Sequence, residues 1–155
     1  MRKLRIFIII FGLISIGLVS LVFYYQSTSG ENNRRDLRKR FDESINSYNL
    51  GKTTCLDIAK ITPFTWDRLY FFRPYRTSDE IDKILGFEWD DVNKTVIGTY
   101  EGISLLVFME GGKVVQYLEY PRGLADFAKL DNGMFFTPQQ SCFIRDSNSY
   151  MILKG

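Results

Sequence analysis

Six of the twelve residues in Phe64-Thr-Trp-Asp-Arg-Leu-Tyr-Phe-Phe-Arg-Pro-Tyr75 are aromatic, and no other stretch restricts the folding of this chain so tightly. Side chains of a β-strand alternate between faces with period two. Read as a strand, the stretch sends Phe64, Trp66, Tyr70 and Phe72 to one face and Leu69 and Phe71 to the other. A strand apolar on both faces is covered on both, which predicts a place near the centre of a sheet. Pro74 has no N–H to offer a ladder and closes the strand. The remainder of the domain is expected to cover it.

Ahead of this strand lies a very different segment. Met1-Arg-Lys-Leu-Arg5 is basic, and Ile6 to Tyr25 carries no charge. A helix of about twenty residues is ~30 Å long, the thickness of the hydrocarbon core. Phe23, Tyr24 and Tyr25 gather at its far end, where amphipathic rings favour the headgroup level. A cleaved signal peptide is the rival reading, with a weak cleavage site at Ser27-Thr-Ser-Gly30. Its apolar region spans only about 7–15 residues and ends on small side chains, whereas this one ends on bulky rings. No cysteine follows directly, which excludes a lipoprotein anchor.

Basic residues flank the apolar run on both sides: Arg2, Lys3 and Arg5 before it, Arg34, Arg35, Arg38, Lys39 and Arg40 after it. The first cluster abuts the run, and the second begins further away and is diluted by Glu31 and Asp36, which favours a cytoplasmic N-terminus. The expected organisation is a cytoplasmic basic tip and transmembrane signal anchor over 1–25, a linker and juxtamembrane helix over 26–50, and a globular domain over 51–155. That places a single-pass protein in the inner (cytoplasmic) membrane, with its C-terminal domain extracytoplasmic, periplasmic or at the cell surface. Leu37, Phe41, Ile45 and Tyr48 form a narrow stripe on the juxtamembrane helix. Its basic residues Arg34, Arg35, Arg38, Lys39 and Arg40 form either a solvated face or a contact with anionic headgroups.

Charge and composition exclude several functions. Of 20 Lys and Arg, three precede the apolar run, leaving 17 against 18 Asp and Glu, a net −1 beyond it. A near-neutral domain offers no bulk attraction to a phosphate backbone, so nucleic acid is not an expected partner. The chain has no histidine, which removes the commonest general base and metal ligand. A cysteine nucleophile would lack its base, and two cysteines with carboxylates make a poor zinc set. No nucleophile elbow, phosphate loop or dinucleotide fingerprint occurs. The acidic set Glu88, Asp90 and Asp91 lacks calcium-loop spacing and reads as an exposed loop. No catalytic residue, cofactor or metal ligand is assigned. The alternative of a histidine-free hydrolase rests on Glu101, Glu110 and Glu119, which sit at strand ends or turns.

Cys55 and Cys142 lie inside apolar runs. They are either buried free thiols or a disulfide, and the second requires an oxidising compartment. A bridge demands Cα atoms within roughly 7 Å. Closing a loop of this length would contribute on the order of 4 kcal/mol in the chain-entropy model.

Local signals place the remaining elements. Cys55 to Ile61 reads as a first strand leading through Thr62-Pro63 to the aromatic one. Thr77-Ser-Asp-Glu80 is a capping box, Ile81, Ile84 and Leu85 make one apolar face, and Gly86 supplies the stop. Gly111-Gly112 between two apolar runs, 103–110 and 113–120, predicts a hairpin with a primed turn. Asp131-Asn-Gly133 is a turn, and Met134 to Ile144 and Tyr150 to Leu153 read as further strands. The expected fold is α+β: an N-terminal transmembrane helix, then a mostly antiparallel five- to six-stranded sheet packed with one or two short helices.

Aromatic residues make up 15% of the chain; most, among them Trp66, Tyr70, Phe71, Phe72, Phe108, Tyr117 and Phe143, are expected in the core, and some on a surface that meets a partner. Tyr75, Phe135 and Phe136 are the residues expected there. The Phe64-x-Trp-Asp-x-Leu-Tyr70 block, the following Pro74-Tyr75, the capped helix ending Leu85-Gly86 and the hairpin with Leu105-Leu-Val-Phe108 resemble a group of small bacterial envelope proteins, membrane-anchored or secreted. The resemblance covers roughly residues 55 to 145 and implies a compartment and a fold, with no activity to carry over. The expected function is a non-catalytic, membrane-anchored extracytoplasmic module that binds another envelope protein. An immunity or inhibitor protein against a toxin or enzyme is the alternative within the same class.

Overall fold

Residues 30–155 are described in the computed structural model. The chain divides into two units, Met1–Arg35 and Asp36–Gly155, and the second carries the fold. The transmembrane segment expected over 6–25 lies outside the described residues. Among the described residues no helix is long and apolar enough to cross a membrane. The expected single sheet of five or six strands is also corrected: the chain is α+β with two three-stranded antiparallel sheets.

Residues 30–49 are helical (α1). There follow β1 (Leu56–Asp57), α2 (Ile58–Ile61), β2 (Arg68–Phe72), α3 (Ser78–Leu85), β3 (Ile103–Glu110), β4 (Lys113–Pro121), β5 (Cys142–Arg145) and β6 (Met151–Leu153). Short 3-10 turns occupy Asp90–Lys94, Ala128–Leu130 and Pro138–Gln140. The larger sheet is the meander β2-β3-β4, and the smaller has the order β1-β5-β6.

The meander is the middle layer, with an apolar core on each face. Leu69, Phe71, Leu106, Phe108, Leu118 and Tyr120 point to the first core. There they meet α1, α2 and the smaller sheet through Leu37, Phe41, Ile58, Phe143 and Met151. Tyr70, Phe72, Leu105, Val107 and Met109 point to the second core, closed by Ile81 and Leu85 of α3 with Trp89, Val92 and Ile97. The central strand is therefore β3, buried from Ile103 to Met109. The aromatic strand β2 lies at an edge, which corrects its expected central place. Alternation reports which faces are covered and is silent on lateral neighbours. The open side of β2 is closed by one bridge, in which Leu69 N–H donates to Phe136 O at 2.8 Å and Phe136 N–H to Leu69 O at 2.9 Å.

The two-face assignment needs a second correction. Extended pairing begins only at Arg68, so Trp66 and Phe64 escape the alternation and join the Leu69 and Phe71 side. Trp66 donates its indole N–H to Thr62 Oγ1 at 2.9 Å, which fixes the ring in that core. The expected strand over Cys55 to Ile61 is a two-residue strand followed by one helical turn. Ser141 captures that turn's first donors, taking Ile58 N–H on its carbonyl and Ala59 N–H on its hydroxyl. The expected strand over Met134 to Ile144 is broken by the turn that starts at Pro138, leaving only β5.

Over residues 36–49 helix α1, expected as a juxtamembrane helix ahead of the domain, packs into the first core. Leu37 and Phe41 are fully buried, and so is nearly all of Ile45. Its Asp42 accepts Tyr120 O–H at 2.9 Å and Arg38 Nε–H at 3.0 Å, while the Arg38 guanidinium lies over the Tyr120 ring. Burial first, and then the Asp42 carboxylate, hold the Tyr120 phenol well above its ordinary pKa.

The local signals are realised where they are self-contained. Thr77 Oγ1 accepts Glu80 N–H, the Glu80 carboxylate accepts Thr77 N–H, and Gly86 adopts the left-handed conformation that ends α3. Gly111 and Gly112 both have positive φ, 57° and 79°, as a two-residue primed turn requires. Cys55 and Cys142 form a disulfide with Cα atoms 5.6 Å apart, closing an 87-residue separation beside the β1–β5 pairing.

Candidate functional site: an arginine–tyrosine groove

Antiparallel pairing brings the end of β2, the start of β3 and the end of β4 to one edge of the meander. The segments that leave or enter there enclose an open groove of about 390 Å³. Arg73, Tyr75 and Arg76 come from the segment after β2, Glu80 from α3, Glu101 from the approach to β3, and Arg122 from the end of β4. All three cations lining it are arginines, whose planar fork suits bidentate recognition of carboxylates.

Two of these arginines are held rigidly. Arg76 donates from Nε and Nη2 to Asp131 at 2.8 and 3.1 Å, and from Nη1 to Glu80 at 3.0 Å. Arg122 donates from Nε and Nη2 to Asp126 at 3.1 and 2.8 Å, and from Nη1 to the Glu101 carbonyl at 3.0 Å. The hydrogen bonds to Asp131 and Asp126, respectively, raise both guanidinium pKa values further. The backbone N–H of Thr77 and then Arg76 hold Glu80 below the usual carboxylate range. Asp131 is the hub. Its fully buried side chain also accepts the backbone N–H of Arg73 at 3.1 Å.

Tyr75 stands apart. Its φ of +66° is left-handed, a conformation that a side chain with Cβ avoids at a cost of roughly 1–2 kcal/mol. Pro74 before it and positive φ at Tyr75 match the two central positions of a type II turn, where glycine or asparagine is the usual third residue. The backbone is pinned by a 2.7 Å bond from Tyr75 N–H to Ile97 O. The side chain is nonetheless 60% exposed, with its hydroxyl 3.5 Å from Glu101 Oε2. Tyr100, also exposed, places its ring where a Cβ on residue 102 would stand, and Gly102 leaves room for it.

The other expected site residues fall elsewhere. Phe135 is exposed and packs on Tyr70, with the Arg68 guanidinium 5.2 Å from its ring centre. Phe136 is corrected from an exposed residue to a half-buried one, its ring edge-on to Phe71 and Phe143. The bridge to Leu69 turns it inward. The residues expected at headgroups have partners within the helix: Arg35 with Glu31, Arg38 with Asp42, Lys39 with Glu43 and Arg40 with Asp36. Arg34 is engaged as well.

The three carboxylates of the hydrolase alternative are not gathered into one site. Glu119 accepts Val96 N–H at 2.6 Å, and Glu101 lies in the groove. Glu110 is five residues along β3 from Leu105, the register partner of Glu119. That separation is about 17 Å, beyond the ~5–9.5 Å of a glycosidase pair. Among the described residues no group of three or more His, Cys, Asp or Glu is placed to hold a metal ion. A second hollow of about 260 Å³ beside Cys55 is lined by hydroxyls and the Asp57–Lys60 ion pair.

From the sequence Tyr75 is expected to be exposed, as an aromatic residue surplus to the core, whereas Arg122, Asp126 and Asp131 are not singled out. Comparisons with protein-family models, with curated proteins and with solved structures return no match for this chain.

Proposed function

We propose that this chain is a non-catalytic, extracytoplasmic protein-binding module that presents the arginine–tyrosine groove to a partner. One observation carries the reading: Tyr75 keeps a large exposed side chain at a backbone position where glycine would relieve strain. Strain retained at an exposed residue points to use of that side chain. The surroundings agree, since tyrosine and arginine are enriched at interface centres and lysine is depleted. The ion pairs of Arg76 and Arg122 order both side chains beforehand, sparing about 0.5–1.5 kcal/mol of ordering cost each on binding. The Cys55–Cys142 disulfide supports the compartment, because such bonds persist in oxidising surroundings.

A photo-crosslinking residue placed at position 75 of the full chain, in the cells that make it, tests this. The expected result is a discrete adduct of higher mass that is absent when the same residue replaces Val115, which is exposed on β4 away from the groove. Equal labelling at both positions, or none at 75, overturns the reading.

A further inference from the structure

We infer that the partner enters this groove carboxylate first, through an aspartate, a glutamate or a chain terminus that Arg73 grips and the Tyr75 ring flanks. The inference rests on the protein-binding reading and adds the chemistry of the ligand. It follows from a count of which donors are already spent. Arg76 and Arg122 each give three hydrogen bonds to fixed acceptors. Arg73 gives none from its guanidinium among the described residues. Its closest carboxylate is Asp131, with Nε 3.7 Å from Oδ2, beyond hydrogen-bond distance.

Asp131 has little left to give it. Oδ2 already takes Arg76 Nε–H and Arg73 N–H, and Oδ1 takes Arg76 Nη2–H. Among the described residues Arg73 is therefore the arginine of the cluster held by a 3.7 Å ion pair alone, and its side chain, 59% exposed, lines the groove with its fork open to a ligand. A guanidinium fork accepts one carboxylate in bidentate fashion. Tyr75, two residues on, has a hydroxyl held among the described residues by a 3.5 Å approach to Glu101.

Charge selects among anions. Glu80 and Glu101 share the groove with the three arginines, and Asp126 and Asp131 lie behind them. Four carboxylates against three guanidiniums leave the region slightly negative. A monoanion can be held by local geometry there, whereas a phosphate dianion meets like charge on two sides.

The test is selection of binding peptides by the full, disulfide-intact chain from two displayed libraries. One has blocked C-termini, so that only side-chain carboxylates are present, and the other has free C-termini. The expected result is binders that carry a carboxylate from either source, the library of origin identifying which. Changing that group to its amide weakens binding by about tenfold or more. Arg73→Gln produces the same loss and makes the amide change inconsequential, and Arg73→Lys restores part of the affinity. Binders indifferent to their carboxylates but lost on Tyr75→Gly overturn the carboxylate inference and leave the protein-binding reading standing. A requirement for a phosphorylated residue, binding insensitive to Arg73 substitution, or no binder from either library overturns the inference. The crosslink at position 75 then judges the broader reading separately.

Discussion

Replacing Tyr75 by glycine separates stability from recognition. Relief of the left-handed strain is offset by the greater freedom of glycine in the unfolded chain. The stability read from the denaturant midpoint is therefore expected to stay level or to rise by up to ~1 kcal/mol, while the crosslinked adduct and peptide binding are lost. A purely structural Tyr75 would show the opposite pattern. Asp131→Asn is expected to cost about 2 kcal/mol, read from the same midpoint, because the buried hub would lose charge-assisted bonds. Glu80 and Asp146 add a pH dependence. The backbone N–H of Thr77 lowers the first, and the Lys129 ammonium at 2.7 Å lowers the second. A carboxyl whose folded pKa is depressed stabilises above its unfolded value and loses that contribution as pH falls. Midpoints measured between pH 7 and pH 3 should decline below about pH 4, and less so in Glu80→Gln. Tyr75 was legible only as an aromatic expected to be exposed, and its left-handed backbone was not. Asp131 was not legible at all, since Arg76 meets it across 55 residues, where the Ala128–Leu130 turn after β4 returns beside β2.

Elements specified by their own neighbours read correctly from sequence, and those specified by lateral packing did not. The α3 capping box and the Gly111-Gly112 turn each need only residues within four positions. The place of β2 at an edge depends on Phe136, and the short β1 with its helical turn depends on Ser141. No period in the local sequence encodes either. Helix α1 is the instructive case. Its stripe of Leu37, Phe41 and Ile45 was visible, but a narrow stripe suits a stalk and a docked helix equally. The structure decides for docking, and mutational cost should follow. Phe41→Ala is expected to lower stability by about 3–5 kcal/mol, and Lys39→Ala, on the solvated side of the same helix, by less than ~0.5 kcal/mol. Equal effects in chemical denaturation would contradict the packing of α1 against Tyr120.

At the scale of the molecule, two cores share one meander, and the disulfide joins the approach to the first strand with the first residue of the fifth. Changing Cys55 and Cys142 to serine together is expected to cost on the order of 4 kcal/mol in the chain-entropy model, measured as the shift in denaturant midpoint against the oxidised protein. Intact mass before and after reduction, differing by two hydrogens, would verify the bond in the purified chain. The sequence could offer the pairing only as one of two possibilities, because proximity across 87 positions belongs to the topology. That same topology governs how the protein folds. Leu56 pairs with Phe143 and Ile58 donates to Ser141, so the first strand and turn meet partners more than eighty residues further along the chain. Long-range pairing of this kind closes slowly and only after the intervening chain is present. The β1-β5-β6 sheet cannot be completed until residues 142–153 are present. The first core is therefore expected to close after the Gly111-Gly112 hairpin, whose strands are neighbours in sequence.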